Sequence, residues 1–151
     1  MQFWTLRETT DWLETQNFVC SPDGPYLDDS WIEEFFDLPL SSREQARLSR
    51  AILDRVQPFR GCILSLTETT LCDEDEDPLI IDRIRLSYGE TLSILESPTF
   101  VFDATEKVEA AVLVRLFIMF CWDGYLLSAG LDHLTRLYGH EGGGFSYVKR
   151  P

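Results

Sequence analysis

Asp123-Gly-Tyr-Leu-Leu127, His133-Leu-Thr-Arg-Leu-Tyr138 and Gly144-Phe-Ser-Tyr-Val148 are three short runs rich in aromatic and aliphatic residues. Gly130 divides the first from the second, and Gly139-His-Glu-Gly-Gly-Gly144 divides the second from the third. Such runs bounded by glycine turns read as strands joined in sequence, which predicts a terminal antiparallel meander. Just upstream, Val108 to Cys121 carries only Glu109 and Arg115 as charges. A helix that is apolar on nearly every side belongs inside a protein, so this one is expected at the buried centre of the core. Arg115 is then expected to pair with a core carboxylate such as Asp123.

Working outward, Gly61-Cys-Ile-Leu-Ser-Leu-Thr67 and Pro98-Thr-Phe-Val-Phe102 are short aliphatic or aromatic stretches that predict two more strands. Ser41-Ser-Arg-Glu44 has capping-box spacing, and Ala46, Leu48, Ile52, Leu53 and Val56 follow it, predicting a helix over 42–56. Asp77-Pro78 offers an N-cap and a proline at the first helical position, and Gly89 a stop, so a further helix is predicted between them. Asp103-Ala-Thr-Glu106 reads as another capping box, opening the apolar helix. Thr9 to Phe18 fits a short, weakly amphipathic helix. In Asp28-Asp-Ser-Trp-Ile-Glu-Glu-Phe-Phe-Asp37, Trp31, Ile32, Phe35 and Phe36 fall on one side of a helical turn or two and the acids on the other. No repeat or long linker divides the chain. The prediction is one α+β domain over 1–151, its helices packed on one face of an antiparallel sheet that ends in the C-terminal β-meander.

The chain has 151 residues, 26 of them acidic and 13 basic, for a net charge of −13. That balance disfavours nucleic acid and anionic membrane, and favours a basic partner or simply solubility, the acidic blocks then being solvated loops. The acidity is localised: residues 1–37 carry nine acids and one base, residues 73–77 are five consecutive acids, and the remainder is balanced. The partner-binding candidates are therefore Asp23, Asp28, Asp29, Trp31, Glu33, Glu34 and Asp37, with Asp73, Glu74, Asp75, Glu76 and Asp77. Aromatic residues would supply desolvated anchors, and the carboxylates would steer a basic partner.

No cofactor or metal is expected. The run Asp73 to Asp77 starts like a calcium loop, but Pro78 stands where the sharp turn needs glycine and Ile84 where a bidentate glutamate is required. Gly142-Gly-Gly144 lacks the lysine and following helix of a phosphate loop, and gives a hairpin freedom in φ. Cys20, Cys62, Cys72 and Cys121 show no metal-ligand spacing and read as reduced thiols in a cytoplasmic protein. The sequence shows no secretory leader and no apolar run long enough to cross a bilayer. His133, His140, Glu141, Asp123, Asp132 and Cys121 are the one gathering of catalytic residue types, and turn or core roles account for them better than a nucleophilic site does.

The string Phe117-Ile-Met-Phe-Cys-Trp122-Asp123-Gly-Tyr125-Leu126, followed by Tyr138-Gly-His-Glu-Gly142 and a last strand, resembles a pattern of small bacterial proteins: an apolar helix running into Trp-Asp, then a Ser-His-Asp-like turn. Some of these resemble the immunity proteins of polymorphic toxin systems, which are small, acidic, cytosolic and α+β. Gly139 and Glu141 replace the Ser and Asp of that turn, so the likeness speaks for fold more than activity. The reading that joins it to the acidic segments 23–37 and 73–77 is a non-enzymatic binding protein that inhibits a basic partner, such as a toxin domain, by occluding its site. The alternatives are a small hydrolase or transferase built on His140 and Asp123, and an accessory subunit of a larger assembly. The sequence leaves the oligomeric state open.

Overall fold

The computed structural model describes residues 1–21, 24–26, 28, 30–68, 77–120, 122–139 and 143–149. The meander forms as expected: β7 (Asp123–Ser128), β8 (His133–Tyr138) and β9 (Gly144–Lys149) pair antiparallel in order. Gly143, at φ +73°, supplies the left-handed turn residue before β9. Before β8 the left-handed residue is Leu131, at φ +58°, rather than Gly130. The Leu131 amide donates to the Ser128 carbonyl at 2.9 Å, and its side chain packs against an apolar cluster.

The meander extends a larger sheet. β5 (Gly61–Glu68) pairs with β7, β6 (Thr99–Asp103) with β5, and β1 (Gln2–Trp4) with β6. At the other end β4 (Ile32–Asp37) pairs with β9, giving seven strands in the order β1-β6-β5-β7-β8-β9-β4, antiparallel throughout. A separate ribbon joins β2 (Val19–Ser21) to β3 (Gly24–Tyr26). Among the described residues this is an α+β fold with four helices.

Side chains alternate along a strand, so each strand feeds two layers. Cys62, Leu64, Leu66, Phe100, Phe102, Leu126, Leu137 and Phe145 meet three helices, α2 (Ser42–Arg55), α3 (Asp77–Ser87) and α4 (Lys107–Met119). Ile63, Tyr125, Leu127, Leu134 and Val148 point the other way, against Leu13 of α1 (Leu6–Thr15) and Phe18 beyond it. The helices are thus not all on one face. Runs such as Ile63-Leu64 and Tyr125-Leu126-Leu127 are apolar on both sides, so both faces need a cover. The Thr9 and Thr99 hydroxyls, 2.8 Å apart, tie α1 down, and Thr99 lies 2.8 Å from the Ser65 hydroxyl.

Local chemistry sets the helix limits. A capping box of Thr5 and Glu8 starts α1 earlier than expected, and Asn17 at φ +64° ends it. Ser41 caps α2 as predicted. After α3 the Glu90 amide reaches the Arg85 carbonyl and the Gly89 amide that of Leu86, a Schellman closure with Gly89 at φ +86°. The box predicted ahead of α4 is only half formed. Glu106 accepts from the Asp103 amide, but Asp103 accepts from Thr105 in a tight turn, and the helix starts at Lys107.

Two further expectations are corrected. Residues 32–37 are a strand, because backbone pairing with β9 along all six residues, and stacking of Phe36 on Phe145 at 5.1 Å, outweigh a helical spacing of apolar residues. And α4 buries one side only: Ala110, Leu113, Val114, Phe117 and Ile118 are inside, whereas Val108, Val112 and Met119 are exposed. Its outer side faces away from the sheet, and there Arg115 donates to Ser42 Oγ of α2 at 2.7 Å, where the sequence predicts a core carboxylate as its partner.

Candidate functional site

β4 is the end strand of the sheet, and among the described residues its only strand partner is β9. Every residue from Ile32 to Asp37 is exposed. An end strand offers unpaired backbone N–H and C=O groups along its free edge, a template on which another extended chain can add. Alternation splits its side chains: Glu33, Phe35 and Asp37 lie on the α1 side of the sheet, and Ile32, Glu34 and Phe36 on the α2 side. Phe35 is 69% exposed, and its ring lies 6.4 Å from that of Tyr138.

The predicted binding residues fare differently. Among the described residues the exposed carboxylates of Glu34 and Asp37 have no hydrogen-bond or ion-pair partner, and they stand beside an exposed aromatic. Glu33 is also exposed, but its Oε1 accepts from Ser146 Oγ at 2.6 Å, so it helps hold β4 to β9. Asp28 accepts from the Ser30 amide and hydroxyl and shapes the turn into β4. Trp31 is half-buried, packs on Phe18 at 6.3 Å between rings and belongs to the α1-side cluster, which makes it less an anchor for a partner than a plug beneath the strand. Asp23, Asp29, Asp73, Glu74, Asp75 and Glu76 lie outside the described residues, and Asp77 begins α3. The structure therefore gathers Glu33, Glu34 and Asp37 on one edge.

Against the α2 side of that edge is a cavity of about 360 Å³ lined by Ile32, Glu34, Arg55, His133 and Tyr147. The Arg55 guanidinium stands 4.5 Å from the Tyr147 ring centre and 5.9 Å from that of Phe36. His133 Nδ1 is 3.0 Å from Asp132 Oδ1, which also accepts from Ser128 Oγ at 2.8 Å. Burial pushes the Asp132 carboxyl upward, but the close His133 imidazole and the hydrogen bond from Ser128 outweigh it, leaving the group below its ordinary range. Burial raises the Tyr147 phenol against the pull of Arg55, with Asp132 and Glu34 adding to the rise.

Carboxylate, guanidinium, imidazole and phenol thus converge beside β4. They offer a partner both a negative rim and a planar cation on aromatic rings. Sequence reasoning missed Arg55 and Tyr147, which lie in a helix and a strand far apart in the chain and become neighbours only where the end of α2 meets β9.

The catalytic alternative is not assembled by the described residues. His140, Glu141 and Cys121 lie outside them, and Asp123 starts β7 opposite Glu68. Cys62 is buried in the sheet, and burial pushes its thiol up to about 12, so it is not a nucleophile at neutral pH. Among the described residues no three His, Cys, Asp or Glu side chains gather as metal ligands, and no helix is long and apolar enough to cross a membrane. Comparison of the chain with protein-family models, with curated proteins and with solved structures gives no match.

Proposed function

We propose that this protein is a binding protein that occludes a basic site on a protein partner, as an immunity protein does on its toxin, and that β4 is the strand it presents. The observation that carries this reading is the combination on β4 of an open sheet edge, the carboxylates Glu34 and Asp37, and the exposed Phe35. Backbone pairing would supply affinity, Phe35 a desolvated contact, and the acids steering and selection against acidic chains. The localised acidity of residues 1–37 points the same way.

The test is capture of partners from source-cell lysate by tagged protein, followed by binding kinetics with the purified partner at rising salt. The double variant E34K/D37K should slow association about tenfold or more at low salt and flatten its salt dependence. Its melting temperature should stay within a few degrees of the parent, because neither carboxylate makes a hydrogen bond within the described residues. A partner whose association rate is indifferent to both salt and this variant would refute the reading.

A further inference from the structure

The outer side of α4 presents Val108, Val112, Arg115 and Met119 at helical intervals of four, three and four residues, a single stripe. Val108 is 73% exposed and Val112 52%. Beside it α2 carries Arg43, Arg47 and Arg50 at intervals of four and three, all exposed. The two helices run side by side in opposite directions: Arg115 meets Ser42 at one end, and Lys107 Nζ meets Asp54 Oδ1 at 2.7 Å at the other. Between them is an open groove of about 330 Å³ floored by Ala46, Leu53 and Ala111.

The fold does not explain this surface. A helix apolar all round is stable inside a protein, and α4 has only one side inside. Its second apolar side is bordered by cations in a chain whose net charge is −13. Of those cations Lys107 is matched by Asp54, whereas Arg115 meets a neutral hydroxyl and Arg43, Arg47 and Arg50 have no carboxylate within ion-pair distance among the described residues. Six of the thirteen basic residues of the chain lie on α2 and α4.

We infer that the α2–α4 groove is a second interaction surface, which receives an acidic amphipathic helix of a partner protein. The occupant's apolar side chains would enter between Val108, Val112 and Ala46, and its carboxylates would meet Arg47, Arg50 and Arg115. A helix laid along two parallel supports is an established mode of groove recognition, read as anchors at i, i+3 or i+4 and i+7. A second copy of this chain is the wrong occupant for the same face: two-fold pairing would set the arginine stripe against itself. The inference is independent of the role of β4, since the groove is lined by other residues and offers the opposite charge.

The test is fluorescence anisotropy with a labelled synthetic helical peptide of four turns, with Leu at i, i+4, i+7 and i+11 and Glu and Ala elsewhere, and a matched peptide with Lys in place of Glu. The full-length protein should bind the Glu peptide saturably and the Lys peptide at least about tenfold more weakly. Val108→Asp, an exposed change in the first helical turn, where an acid suits the helix dipole, should weaken the Glu peptide by a similar factor. R47E/R50E should do so as well. Absence of binding by the Glu peptide, equal affinity for both peptides, or indifference to V108D would each overturn the inference. So would a dimer in light scattering that dissociates in V108D, which would give the groove to a second copy.

Discussion

Arg85 is the most consequential single residue whose role the sequence conceals. Set between Ile84 and Leu86 in a helix, it reads as a surface charge, yet it is fully buried. Its guanidinium lies 4.7 Å from the Phe3 ring centre and 5.4 Å from that of Phe100, and donates to the carbonyl oxygens of Ser97 at 2.7 Å and Leu92 at 3.3 Å. Asp82, 3.9 Å away, accepts from the Ile94 amide, so the two side chains together fix the turn that leads into β6. Arg85→Met keeps the bulk but strands those carbonyls. It should cost about 3 kcal/mol in urea denaturation and expose residues 90–98 to proteolysis. Asp132 permits a second test at this scale. Its carboxyl is lowered in the folded chain, so the stability it contributes is present above the unfolded value of about 4 and is lost as pH falls through the folded one. Asp132→Asn should therefore be less stable than the parent at pH 7, with the gap in melting temperature closing as the solution is acidified below pH 4. A gap that stays constant with pH would show that the charge is not what matters.

At the scale of elements, what was legible followed from local signals. The helix over 42–56, the strands at 61–67 and 98–102 and the three strands of the meander are written in caps, periodicity and glycines that act over a few residues. Residues 32–37 escaped because a spacing of one, four and five suits a helix, and the residues that make it a strand are those of β9, more than a hundred positions away. The two capping sequences separate a real start signal from a coincidental one. Thr5 truly caps α1, so Thr5→Ala should cost about 1 kcal/mol in chemical denaturation. Thr105 sits in the turn before α4 and caps nothing, so Thr105→Ala should change stability by less than about 0.5 kcal/mol. Equal costs would mean that Asp103 and Thr105 support α4 after all.

For the molecule as a whole, class was readable and arrangement was not. A terminal run of strands joined by glycine turns, set apart from the helical patterns, announces an α+β fold, but which helix covers which face depends on strand order, a long-range property. The same division applies to the candidate site. Glu33, Glu34 and Asp37 stand out as acids in the sequence, whereas His133 and Tyr147 join them only once β8, β9 and β4 are side by side, and Arg55 only once α2 meets that part of the sheet. Charge shows it again: the sequence reveals the acidic N-terminal block at once, but the concentration of bases on α2 and α4 appears only when those helices are placed together.

Both end strands of the sheet, β1 and β4, come from the first 37 residues, while the five strands between them come from residues 61–149. During synthesis the N-terminal segment therefore emerges before anything exists for it to pair with: β1 must wait for β6, and β4 for β9, where Ile32 lies opposite Lys149. A ribosome must pass residue 149 before the sheet can close. Until then Ile32, Phe35 and Phe36 have no strand of the sheet to pair with, and the nine acids of residues 1–37 disfavour their association with other nascent chains.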